Sequence, residues 1–166
     1  MKRILVIALL ATMLIALLVG CKSAENQQEA VEAVGMGIAN PMHGSSQEEI
    51  HALDGVTLSI PKASTTATWM RIYSSEDSVL DQVTFEYGSA EYCYRAKKTK
   101  ELQDISGMYY NWTYVEDLDD AKLYTNEHGQ GIVLWFAEGA SYSLSMSESA
   151  TAESLEAMFE LVWNGQ

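Results

Sequence analysis

From Ser141 to Ser147 the chain alternates without a break, with Tyr142, Leu144 and Met146 set between Ser141, Ser143, Ser145 and Ser147. A two-residue period belongs to a strand with one apolar and one polar side, and no helix accommodates it. From 151 to 163 the spacing changes. Leu155, Met158, Phe159 and Val162 recur at i, i+3, i+4 and i+7, with Glu153, Glu156 and Glu160 elsewhere on the surface, the pattern of an amphipathic helix. A one-sided strand followed by a one-sided helix buries both apolar sides when the helix packs on the sheet. The serine side must then face water or a polar groove.

The rest of the chain supplies more strands. Ser46 with Glu49 three residues on is a capping box opening a short helix through Leu53, stopped at Asp54-Gly55. Val56, Leu58 and Ile60 alternate with Thr57 and Ser59, which predicts a strand closed by Pro61. Met70 and Ile72 continue the pattern in a second strand, with Trp69 and Tyr73 on its opposite side. Val83, Phe85 and Tyr87 predict a third, joined through Gly88-Ser89 as a hairpin loop to Tyr92, Tyr94 and Ala96. Trp112 and Tyr114 suggest a fifth strand, and Lys122 to Thr125 a short sixth. The unbroken apolar run Ile132 to Phe136 reads as a central strand covered on both faces, and Glu138-Gly139 turns it into the serine strand. The expected fold is α+β: a mostly antiparallel, curved sheet of about seven or eight strands, a short N-terminal helix, and a C-terminal helix packed on one face. Residues 45–166 form one domain on this reading, a normal length for a single core.

Ahead of that domain stands an address. Met1-Lys2-Arg3, an apolar run from Ile4 to Val19 and the small Gly20 make the three regions of a secretory signal, so residues 1–20 read as a signal peptide. Leu18-Val19-Gly20-Cys21 resembles the lipobox of bacterial lipoproteins, which predicts acylation of Cys21 and cleavage before it. The apolar run is shorter than the ~20 residues a retained span needs, and no charged stop-transfer cluster follows. Residues 21–44 then read as the lipidated cysteine and a flexible tether, whose Gln, Glu, Ala and Ser carry the domain ~25 Å from the membrane if unstructured. The expected location is the extracytoplasmic face of the cell membrane, or the outer membrane in a cell with two.

Charge excludes one class of partner. The full chain carries −13; cleavage removes Lys2 and Arg3 and no acid, leaving 8 basic against 23 acidic residues, or −15. Such a field repels a phosphate backbone, so nucleic acid is not expected as a partner. It favours cationic partners instead. The cluster Arg95, Lys97, Lys98 and Lys100 reads as a solvated strand end and loop. With Cys21 acylated, Cys93 has no disulfide partner in the chain and reads as a small semi-buried hydrophobe.

Asn40-Pro41-Met42 before a short acidic helix, the strand Tyr94-Arg95-Ala96-Lys97, the loop Asp104-Ile105-Ser106-Gly107 with Tyr110 after it, and Tyr142-Ser143-Leu144-Ser145 before a closing helix together resemble a recurring domain of bacterial surface lipoproteins, domain of unknown function 4367. The resemblance spans nearly all of 39–163 and implies a lipid-anchored or membrane-external protein. It carries over no catalytic residue. Lys98 to Gln103 stands as an insertion before the Asp-Ile-Ser-Gly loop.

Chemistry sought directly in the residues is mostly missing. Ser59-Ile60-Pro61-Lys62 matches a Ser-x-x-Lys motif, but in a strand running into proline instead of at a helix start. His43, His51 and His128 have no helical metal spacing, and Glu116, Asp117, Asp119 and Asp120 lack the central glycine and distal glutamate of a calcium loop. No enzyme, metal or cofactor is expected. Tyr109, Tyr110, Trp112 and Tyr114 cannot all point to one side of a strand, so some are exposed or line a groove, unless Trp112 and Tyr114 pack in the core and Tyr110 caps the loop. Tyrosine and tryptophan suit binding sites because they offer large apolar area with a polar tip. With Asp104 they are the candidate binding residues of a non-enzymatic module for an envelope protein or peptide. The alternative is a carrier of lipid or another apolar ligand under the last helix, lined by Leu144, Met146, Trp135 and Met158.

Overall fold

The period-2 segments assemble into one open antiparallel sheet in the computed structural model, which describes residues 42–75 and 78–164. Its strands are β1 (Met42–Gly44), β2 (Thr65–Ser75), β3 (Ser78–Tyr87), β4 (Ala90–Lys98), β5 (Tyr114–Asp117), β6 (Ala121–Thr125), β7 (Gly131–Ala137) and β8 (Ala140–Met146). Helix α1 (Gln47–Asp54) lies between β1 and β2 in the chain, and α2 (Ala152–Trp163) follows β8. Across the sheet the order is β1-β2-β3-β4-β8-β7-β6-β5. The fold class is therefore α+β, with both helices packed against the sheet. The expected signal peptide, Cys21 and the tether up to residue 41 lie outside the described residues. Its last three residues, 42–44, instead pair with Ile72, Arg71 and Met70 as an edge strand.

Residues paired across an antiparallel ladder share a side, so the register sorts every side chain. Val83, Phe85, Tyr92, Tyr94 and Ala96 face the same way as Tyr142, Leu144, Val133, Trp135 and Leu123, and all are buried. Helix α2 covers this side with Leu155, Met158, Phe159 and Val162. Burying each such side chain contributes roughly 2 kcal/mol. Thr151 caps the helix by accepting from the Ser154 amide at 3.1 Å. Gly131 lets the helix approach closely, since a Cβ there would stand 2.5 Å from Leu155 Cδ1. Trp135 is the centre of the packing: its ring stacks on Tyr142 at 5.3 Å and meets Phe159 edge-on at 5.1 Å.

Three local expectations are corrected. Among the described residues, 56–60 pair with no strand; Val56 and Leu58 are buried in the helix-side core, and the Tyr142 hydroxyl hydrogen-bonds the Thr57 backbone. Alternation there reports one buried side, not a ladder. On β2 it is Trp69, Arg71 and Tyr73 that share the helix side, with Met70 and Ile72 on the other. Finally, Ser141 and Ser143 face neither water nor an open groove, for both are buried, whereas Ser145 lines a groove and Ser147 is exposed, as expected. Because β4 is central and β5 lies at the far edge, the connection through 99–113 has to cross β8, β7 and β6, and it covers Ser141.

Candidate functional site

The crossing segment is attached to the sheet at two points. The first is Ser141, whose Oγ donates to the Glu101 carbonyl at 3.1 Å, accepts from the Gln103 amide at 2.9 Å, and lies 2.7 Å from Thr99 Oγ1. The second is Arg95. Its Nε donates to Gln82 Oε1 at 2.8 Å, and its Nη1 donates to the carbonyls of Ile105, at 3.3 Å, and Ser106. A guanidinium that satisfies two backbone carbonyls at once fixes both position and orientation of the loop. Arg95 is thus half-buried and bonded, unlike the solvated strand end expected, whereas Lys98 and Lys100 are exposed.

The Asp104-Ile105-Ser106-Gly107 turn is closed from within. Asp104 Oδ1 accepts from the Ser106 amide at 2.9 Å and from Ser106 Oγ at 2.6 Å, and Ser106 Oγ accepts from the Met108 amide at 3.1 Å. This is the side-chain-to-backbone closure that Asp and Ser favour. Gly107 has φ +70, and a Cβ there would lie 2.6 Å from Arg95 Nη1, so only glycine fits. Asp104, expected among the binding residues, uses one carboxylate oxygen to shape the turn.

Beyond this turn the chain presents its aromatics. Tyr109 is 87% exposed and Tyr110 45%, while Trp112 is half-buried. Trp112 meets Tyr110 edge-on at 5.9 Å and Tyr124 of β6 at 6.1 Å, so the ridge leans on the sheet through the indole. Tyr110 lines two grooves. One, of about 390 Å³, also has Tyr109, Asn111, Asn126, Glu127 and His128 on its walls. The other, of about 250 Å³, runs over Cys93, Arg95, Met108 and Ser145. Burial pushes the Cys93 thiol up, against the opposing pull of Arg95, so it stays a neutral thiol.

Tyr114 is not part of this ridge. On β5 it pairs with Thr125 and faces the helix side, 45% exposed, outside the core cluster. Its Oη donates to Glu116 Oε2 at 2.7 Å; that bond, with Glu153 and Glu156 of α2 nearby, raises its pKa. The four aromatics therefore divide between the two sides of the sheet. Near the end of β5 lies a groove of about 440 Å³ bounded by Asp117, Asp119, Asp120, Glu156, Glu160 and Trp163.

Sequence reasoning passed over a second polar cluster. Arg71, buried on the helix side, is held by Asp81 at 2.9 and 3.1 Å and by Asp54 at the end of α1. Desolvation raises the Asp81 pKa even though Arg71 opposes it. A charge standing between Met70 and Ile72 was the available signal. Leu144, Met146, Trp135 and Met158, expected to line a carrier cavity, are all buried in the core cluster. Among the described residues, no three or more His, Cys, Asp or Glu side chains are placed to hold a metal.

Fold and surface define a class: an open antiparallel α+β sheet with a helix on one side and a bonded crossing segment carrying an aromatic ridge on the other. Comparison with known proteins finds no family model, no curated protein and no solved structure that matches this chain.

Proposed function

We propose that the protein is a non-enzymatic, lipid-anchored module on the extracytoplasmic face of the cell membrane, tethered through Cys21, that binds an envelope protein or peptide through the ridge Tyr109, Tyr110 and Trp112. The observation that carries this reading is the pairing of exposure with fixation. Tyr109 is 87% exposed, yet its segment is tied to the sheet through Arg95 and Ser141. Water-exposed aromatics cost solvation, and aromatics carried on an anchored segment lose less freedom on binding, which favours a recognition surface. The excess of acidic residues favours a cationic partner.

The test is in-cell crosslinking of the full-length protein followed by mass spectrometry, with Tyr109→Ala and Cys21→Ala alongside. One partner captured by the native protein and lost with Tyr109→Ala supports the reading. Capture that is indifferent to Tyr109→Ala and Tyr110→Ala refutes it. Cys21→Ala should release the protein from the membrane fraction; retention there would end the anchor assignment.

A further inference from the structure

The two sides of the sheet meet at β5, the edge strand whose outer side pairs with no strand among the described residues. We infer that β5 is a strand-addition site for an extended basic segment of a partner protein, one that alternates lysine or arginine with apolar residues. The inference rests on the binding-module reading and names the conformation and chemistry of the partner.

An open edge offers backbone donors and acceptors in a fixed row, and a peptide added there directs successive side chains to opposite sides. Sheets usually protect such edges by keeping them very short or with charged side chains, lysine above all, proline or a bulge; β5 is short, and its own charges, Glu116 and Asp117, are both acidic. Tyr114–Asp117 has no lysine and no proline, and its ladder to β6 runs Tyr114↔Thr125, Val115↔Tyr124, Glu116↔Leu123, Asp117↔Lys122 without a shift. The two sides of this edge differ. On the helix side stand Tyr114 and Glu116, with Glu153 and Glu156 of α2 close enough to act on the Tyr114 hydroxyl. None of these three carboxylates has a salt-bridge partner among the described residues, where Lys122 pairs only with Asp117. On the other side Val115 is 56% exposed beside Tyr124, which touches Trp112 of the ridge. A bound strand would thus have carboxylates under alternate residues and an apolar, aromatic surface under those between.

Charge also decides among occupants. The chain's own residues 22–41 carry Glu25, Glu29 and Glu32 against Lys22, the wrong sign for this edge. At the far end of β5 the acidic groove with Trp163 continues the same preference, since a cation over an indole face gains further attraction.

The experiment titrates the isotope-labelled full-length protein in detergent micelles with a capped octapeptide of alternating lysine and valine, read by amide shifts. Two companions are the same peptide N-methylated on alternate residues, which removes the backbone donors, and a glutamate–valine peptide. The expected result is shifts concentrated on 114–117, affinity roughly tenfold weaker for the N-methylated peptide, and no binding of the glutamate peptide. Replacing Glu153 and Glu156 together by lysine should weaken the lysine peptide by a similar factor, and Val115→Lys should do so independently. Equal binding of the N-methylated peptide, or shifts centred away from β5, overturns the inference. Failure of the lysine peptide while in-cell capture still depends on Tyr109 removes the edge site and leaves the binding module standing.

Discussion

The helix side and the crossing-segment side of the same sheet are built on different physics. Under α2 the contacts are apolar and non-directional: Trp135 touches Tyr94, Tyr142, Phe159 and Trp163, and the gain scales with area removed from water. Under residues 99–106 the contacts are Ser141, Arg95 and backbone carbonyls, each bond directional and worth about 1 kcal/mol net. Area supplies stability, and directional bonds supply position. The domain folds on the first side and presents its aromatic ridge on the second.

That division can be broken first at its strongest point. Trp135→Ala should cost about 4 kcal/mol in urea denaturation, because a fully buried indole at the centre of the ring cluster leaves a cavity. A loss below about 1.5 kcal/mol would mean that the helix side does not dominate. Asp81→Ala comes next, at roughly 3 kcal/mol, since it leaves the buried Arg71 with Asp54 alone.

The same cluster gives a pH signature. Folding raises the Asp81 pKa above its ordinary 3.8, so the fold prefers the protonated acid. Its contribution is fully present below the ordinary value and is lost as pH rises through the raised one. The stability of the native protein relative to Asp81→Asn should therefore decline as pH climbs from about 3 through the raised value, and a constant difference would contradict the assignment.

The crossing side has its own internal contrast. Ser141→Ala removes three hydrogen-bond partners and should cost about 2 kcal/mol, with faster exchange of the Gln103 amide. Ser143 is equally buried, but its Oγ has no partner among the described residues. Ser143→Ala should change stability by less than about 0.5 kcal/mol or raise it slightly. Equal losses at the two serines would show that burial alone sets the effect. The smallest change belongs to the ridge: Tyr109→Ala should alter stability by under about 0.5 kcal/mol, measured by thermal unfolding, while abolishing partner capture.

Much of this was legible in the residues. The serine strand, its neighbour Ile132 to Phe136, the hairpin at Gly88-Ser89 and both helices follow from periodicity and capping, which are local properties. Residues 56–60 show the limit, because Val56 and Leu58 satisfy the alternation of a strand while packing as an unpaired extended segment. In the candidate site, four aromatics within 109–114 imply that some are exposed, and Tyr109 and Tyr110 are. Tyr114 was grouped with them because sequence spacing does not say that a four-residue strand, starting at that residue, would turn it to the opposite side.

By itself the sequence determined both helices, most of the strands, the apolar sides of β3, β4, β8 and α2, and the excess of acidic residues, since period and charge are carried within a few residues. Only the tertiary structure decided that β4 lies at the centre and β5 at the edge, so that 99–113 must cross the sheet. From that one long-range choice follow the burial of the serines, the bonding of Arg95 to two backbone carbonyls, the division of the aromatics and the open strand edge. Beyond the hairpins, strand order depends on contacts between residues far apart in the chain, and no local pattern encodes those partners.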